Sequence, residues 1–255
     1  MNQKQSVVEV YITTSVTRCF YMSDHMEYNC DIVFCISLNR SMQKTLTLLK
    51  RSLFKFDDDI SLACEWAHKH IDSVRLKIIG VRSFDVDGAG AYVESRFFHL
   101  RFPEERTAAV RYMYGLVADG EDENTDALVA LSRAIQTDWV QTGQKHRHII
   151  VMFTDSSAHK LEDPDRLNPD FLPEIPESLE ELTDIWMTPT RTTWGPEIKL
   201  KQPAKRLVVF APDNMYPWPE IYESWNQVVY NPTADTSGLD DVPYADIINT
   251  IVGSV

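Results

Sequence analysis

The chain is predicted to fold as an α/β protein. Its expected core is a doubly wound, mostly parallel sheet with helices on both faces, three layers in all, and one antiparallel edge strand. Three observations carry this expectation. Residues 31–37 (DIVFCIS), 148–154 (HIIVMFT) and 207–211 (LVVFA) are nearly continuous apolar runs, as strands buried on both faces require. The stretches between them repeat apolar residues every three or four positions, the period of a helix lying on a sheet. Finally, the Gly-rich turn at 87–90 leaves no room for a crossover helix, so the strands on either side of it, about 75–84 and 95–100, should pair antiparallel.

Taken in order, residues 1–30 read as an N-terminal extension with a weak edge-strand pattern at 7–13, and 31–255 as the domain proper. After the 31–37 strand, Leu46, Leu49, Leu53, Phe56, Ile60, Ala63 and Ala67 form one apolar stripe, which predicts a single long helix over about 42–71. The acidic triplet Asp57, Asp58 and Asp59 falls within it and reads as a solvated face. The antiparallel pair is followed by a helix at about 104–117 and an acidic loop at 118–124. The next helix spans about 125–139, with Thr125 as its N-cap and Leu128, Leu131 and Ile135 on one face. After the 148–154 strand, residues 156–204 are proline-rich with one helical stretch at about 177–187, an insertion at the edge of the domain. The strand at 207–211 resumes the pattern. A short helix near 219–225, a last strand at 228–230 and a closing helix at 244–252 complete it. Trp186, Trp194 and Trp218 either cover the sheet or form an aromatic surface for a partner.

Composition narrows the function. The 255 residues carry 25 basic against 38 acidic side chains, a net charge of −13, which disfavours general binding to phosphate backbones. Six Trp, ten Tyr and eleven Phe supply the buriable surface that a disordered chain lacks. No run approaches the roughly 18 apolar residues of a membrane helix, and the start has no secretory h-region. The four cysteines show no CxxC spacing and read as reduced thiols of a cytoplasmic protein.

In a doubly wound sheet, ligands bind beyond the carboxyl ends of the strands. Three oxygen-rich loops should meet there: 37–41 (SLNRS), 119–125 (DGEDENT) and 154–157 (TDSS). Hydroxyl, amide and carboxylate oxygens suit a hard cation such as Mg²⁺, although the same residue types also cap helices. DIVFCISLNRSM (31–42) resembles the opening of a von Willebrand factor type A domain, where a buried strand ends in Asp-x-Ser-x-Ser. NTDALVALSRAI (124–135) resembles that family's Thr-loop and helix, and RHIIVMFTDSSAHK (147–160) its fourth strand ending in Thr-Asp. Order and spacing agree over about residues 30–252. With ADGEDENTDAL before TDSSAHK and KRLVVFAPD after it, the chain is similar to bacterial cytoplasmic members, often encoded beside a protein kinase and a PP2C-type phosphatase.

The resemblance implies a Rossmann-like von Willebrand A fold and a metal-ion-dependent adhesion site. In that family two serines and a threonine hold Mg²⁺, aspartates hold its waters, and a partner's carboxylate completes the shell. The corresponding positions here are Ser37, Asn39, Ser41, Asp155, and Thr125 or Asp122. Ser37 stands where the family has its leading Asp, Asn39 where it has its first serine, and Arg40 where it has Gly. The site therefore reads as degenerate, with Mg²⁺ bound in the millimolar range or not at all, and Arg40 reads as a direct contact for an acidic partner group. Arg40, Asn39 and Asp155 are expected side by side on an exposed surface.

Other motifs fail. The 85–90 segment lacks the ligands of a Ca²⁺ loop, and Gly88 with Gly90 makes no dinucleotide fingerprint. His68 and His70 are too close in sequence to share a helix face, and His146 and His148, which could share a strand face, have no evident third ligand. No nucleophile elbow, phosphate loop or zinc-protease motif is present, and no His or Cys is expected beside the three loops. The expected function is thus non-catalytic protein binding, as a scaffold or adaptor in a kinase–phosphatase signalling or stress system, with no nucleic acid or membrane partner. An enzyme acting on a phosphorylated or nucleotide ligand, and a structural oligomerisation subunit, are the alternatives.

Overall fold

The computed structural model describes residues 26–162, 174–188, 197–234 and 239–255. Its elements, in chain order, begin with β1 (Tyr28–Ser37), α1 (Gln43–Ser52), α2 (Phe56–Trp66) and β2 (Ser73–Val81). A short turn α3 (Phe84–Asp87), the strands β3 (Tyr92–Glu94) and β4 (Phe98–His99), α4 (Pro103–Gly115) and α5 (Ala127–Gln136) follow. The chain continues through β5 (Lys145–Phe153), α6 (Leu179–Met187), β6 (Lys205–Pro212), α7 (Trp218–Ser224), β7 (Val228–Thr233) and α8 (Tyr244–Ser254).

The seven strands form one sheet in the order β3-β2-β1-β5-β6-β7, with β4 pairing β2 beside β3. The pairings of β1 with β2, β1 with β5, β5 with β6 and β6 with β7 are parallel; β3 and β4 both run antiparallel to β2. The expected fold class is therefore observed, with its antiparallel edge.

All ten residues of β1 are buried, because it lies at the centre with a layer of helices on each side. Alternation divides it cleanly. Ile32, Phe34 and Ile36 join one core with α1, α2, α4 and α8, and Phe34 meets Phe56 and Phe153 edge-on at ring distances of 5.2 and 5.3 Å. Val33 and Cys35 face the other core, under α5, α6 and α7.

Several elements differ from expectation, each for a physical reason. The long helix is broken at 53–55 by a 3-10 turn. The acidic triplet occupies the first turn of the new helix α2, where a helix N-terminus favours negative charge. Asp57 is not solvated: it is buried, with Arg106 at 3.2 Å and Arg101 at 3.6 Å. Strand β2 stops at Val81, and Phe84 turns into α3 instead of extending it. Its antiparallel partner is split in two around Ser95, whose hydroxyl accepts the Ile78 N–H at 2.9 Å. Trp186 and Trp218 are fully buried, so they cover the sheet. Residues 7–13 and Trp194 lie outside the described residues.

Candidate functional site at the carboxyl end of the sheet

From β1 the chain proceeds outward to β2 on one side, while β5 begins the other half of the sheet. The loops after β1 and β5 diverge at this reversal and leave the crevice in which doubly wound proteins bind ligands. Backbone pairing closes the crevice. The 39–40 segment forms a parallel bridge with Gly120, through Gly120 N–H to Leu38 O and Arg40 N–H to Gly120 O, both 3.0 Å. A second bridge joins Thr125 to Ala158. Gly120 is required by the close approach: a Cβ there would stand 3.1 Å from Leu38 O and 3.3 Å from Asn39 Cα.

Five of the residues expected at the site come together. The Ser37 and Thr125 hydroxyls hydrogen-bond at 2.9 Å. The Asn39 amide nitrogen donates to Ser41 Oγ at 2.9 Å and, across the crevice, to Asp155 Oδ1 at 3.0 Å. A carboxylate accepts only, so Asp155 orients the Asn39 NH₂ group toward itself. Among the described residues, the buried Asn39 Oδ1 has no hydrogen-bond partner. The arrangement does not suit Mg²⁺, which gathers six oxygens at about 2.1 Å. A nitrogen donor stands between the two oxygens that would have to converge on the ion, and the Ser37 and Thr125 hydroxyls are engaged with each other. Among the described residues, no three His, Cys, Asp or Glu side chains are grouped to hold a metal.

Arg40, Asn39 and Asp155 do not share an exposed surface. Asn39 and Asp155 are buried, and only Arg40 points outward, pairing with the equally exposed Glu121 at 3.1 Å. The backbone bridge pulls the residue before Arg40 inward while the 3-10 turn starting at Arg40 rotates its side chain to solvent. Thr125 is not the cap of α5; Asp126 occupies that position, and its carboxylate accepts the Phe84 N–H at 2.7 Å.

Asp122 makes its contacts elsewhere, accepting from Asn124 N–H at 3.1 Å and meeting His159 Nε2 at 3.2 Å. Burial pushes its carboxyl up, but the Ser83 hydroxyl, the Asn124 N–H and His159 outweigh this and hold it below the usual range. His159 is thus a histidine beside the loops, where none was expected. Ser83 belongs here too, 3.3 Å from the same His159 nitrogen. Its placement depends on β2 ending at Val81, which turns 82–83 into a carboxyl-end loop; His159 lies two residues past the expected loop, carried in by the Thr125 bridge. Ser83, His159 and Asp122 are the residue types of a nucleophilic relay, but not its geometry. Serine and carboxylate share Nε2, whereas a relay needs them on opposite ring nitrogens.

No family model matches the chain, and no curated protein matches it. Solved structures do. The pilus adhesin SpaC from Lactobacillus rhamnosus GG is 12% identical, with a TM-score of 0.51 over 89% of this chain and 31% of the adhesin. Its open conformation gives 13% and 0.48 over 89% and 30%, and a von Willebrand factor type A protein from Catenulispora acidiphila gives 10% and 0.47 over 89% and 42%. The chain spans less than half the length of each. At such identities the likeness to the adhesin is one of fold.

Proposed function

We propose that this chain is a non-catalytic protein-binding module, a scaffold or adaptor, which engages an acidic group of a protein partner through its carboxyl-end loops, around a metal-ion-dependent adhesion site that has degenerated. The observation that carries the reading is the Asn39 amide bridging Ser41 and Asp155. It supplies internally, as two N–H donors, the positive end that a cation supplies in a metal-loaded site. The loops are thereby held closed without an ion, and recognition falls to the rim. There, among the described residues, the Arg40 guanidinium pairs with Glu121, an exposed pair of the kind worth about 0–1 kcal/mol, so a partner carboxylate can replace Glu121 at little cost. The shared nitrogen of the Ser83–His159–Asp122 contacts supports the non-catalytic reading. The likeness of the motifs to bacterial members encoded beside a kinase and a phosphatase makes such a signalling or stress system, in the cytoplasm, the setting we propose. Buried free Cys30, Cys35 and Cys64 agree with a reducing compartment.

The test is cross-linking capture from native lysate with wild type and Arg40→Glu. Reversing an exposed charge blocks an acidic ligand and removes little packing, so a defined set of captured proteins should disappear while the melting temperature moves by less than about 2 °C. Identical capture by both proteins overturns the reading.

A further inference from the structure

The opposite, amino-terminal edge of the sheet holds a concentration of positive charge that the proposed interaction does not use. In this strongly acidic chain, Lys145 and Arg147 open β5, Arg206 opens β6, and Tyr28 opens β1 between them and β2. Tyr28 pairs in register with Lys145, Cys30 with Arg147, and Ile149 with Arg206, so strand alternation sends Tyr28, Lys145, Arg147 and Arg206 to the same face of the sheet.

The two guanidinium groups are crowded together. Arg147 Nη1 and Arg206 Nη1 donate to one and the same carbonyl, Pro203 O, at 3.2 and 3.4 Å. Among the described residues, neither arginine nor Lys145 has an ion pair with an acidic side chain, whereas Arg75, Arg82, Arg96, Arg101, Arg106 and Arg133 all do. The Lys145 ammonium lies 4.6 Å from the Tyr28 ring centre. Among the described residues, two donors in the group have no acceptor: the Tyr28 hydroxyl, on a side chain 6% exposed, and the Arg147 Nε–H. Burial pushes the Tyr28 hydroxyl up to about 12, so it stays a proton donor, while Arg147 and Arg206 are both close enough to pull it down. Tyr28 and Lys145 also line an open cleft of about 420 Å³ with His68, Lys69 and His70.

Like charges sharing an acceptor, with buried donors beside them, are best complemented by an anion with several oxygens. We propose that Arg147, Arg206 and the Tyr28 hydroxyl, flanked by Lys145, form a binding site for a phosphoryl group, free or as a monoester. A dianion matches this set better than a carboxylate, because two arginines beside a neutral donor, with a lysine on the same face of the sheet, would be left mostly unneutralised by one negative charge.

The experiment is titration of the full chain with inorganic phosphate at constant ionic strength, read by thermal shift and by ³¹P line width, with O-phosphoserine and acetate as further arms. Phosphate is expected to stabilise saturably, acetate at least tenfold more weakly. Arg147→Gln and Arg206→Gln should each weaken phosphate binding at least tenfold, and Tyr28→Phe several-fold. O-phosphoserine binding as tightly as phosphate places the site open to monoesters on a partner; phosphate alone places it closed around the free ion. Absence of protein-dependent ³¹P broadening with wild type overturns the proposal, and needs no variant to fold. So do equal affinities in wild type and the arginine variants, or acetate equal to phosphate.

Discussion

Asn39→Asp should turn a closed hydrogen-bonded loop cluster into a cation-dependent one. The substitution replaces the amide that donates to Asp155 Oδ1 at 3.0 Å with a second carboxylate of nearly the same shape. At that separation two unit charges repel by about 5–6 kcal/mol for an effective dielectric near 20, before relaxation. Rotamer adjustment and partial protonation of the pair reduce this, and a net loss of about 2–4 kcal/mol remains at pH 8. In a domain of this size that corresponds to a fall in melting temperature of about 5–15 °C. Two remedies should then work on the variant and not on the wild type. Lowering the pH to about 5 lets the pair share a proton, and Mg²⁺ or Mn²⁺ neutralises it directly. With 10 mM Mg²⁺ and a Kd near 0.1 mM, binding restores about 2.7 kcal/mol. The assay is thermal denaturation in chelator and across a Mg²⁺ series, backed by titration calorimetry. A variant indifferent to both Mg²⁺ and pH would refute the reasoning that the amide stands in for a cation. A wild type that binds Mg²⁺ at micromolar concentration would refute it from the other side.

Further outcomes follow from the same structure. His148 is fully buried, stacked on Trp139 at 4.9 Å, and burial lowers its pKa to about 4. Neutral in the fold and protonated when unfolded, it contributes stability present above about pH 6.5 and lost between there and pH 4, about 3 kcal/mol in all. Urea melts of His148→Phe across that window should show a flatter pH slope than wild type, whatever the absolute stability. Trp186→Ala should cost about 3–5 kcal/mol, because the ring is fully buried and stacked on Trp225 at 5.1 Å; a change under 1 kcal/mol would mean that the 156–204 insertion does not cover the core. Gly120→Ala should cost about 1–3 kcal/mol by forcing a methyl against Leu38 O, and amide exchange should quicken at Arg40 and Gly120; unchanged protection would place the bridge elsewhere.

The strands β1, β5 and β6 were legible in the sequence because burial on both faces leaves a short, nearly continuous apolar run at the heart of each, 32–36, 149–153 and 207–211. The antiparallel edge was legible from loop length alone. Periodicity likewise placed the helices, but not the break at 53–55, since a 3-10 turn leaves the apolar stripe intact. Strand order at the reversal brought Ser37, Asn39, Ser41, Thr125 and Asp155 together, as their motifs implied. What those residues do to one another was decided only in three dimensions. Sequence treats each as an oxygen donor waiting for a ligand, whereas the fold sets the Asn39 nitrogen between Ser41 and Asp155 and pairs Ser37 with Thr125. The burial of Asp57, the entry of Ser83 and His159 beside Asp122, and the convergence of Tyr28, Arg147 and Arg206 have the same origin. Each joins residues far apart along the chain through helix packing, sheet register or a loop bridge, and no local pattern encodes that distance.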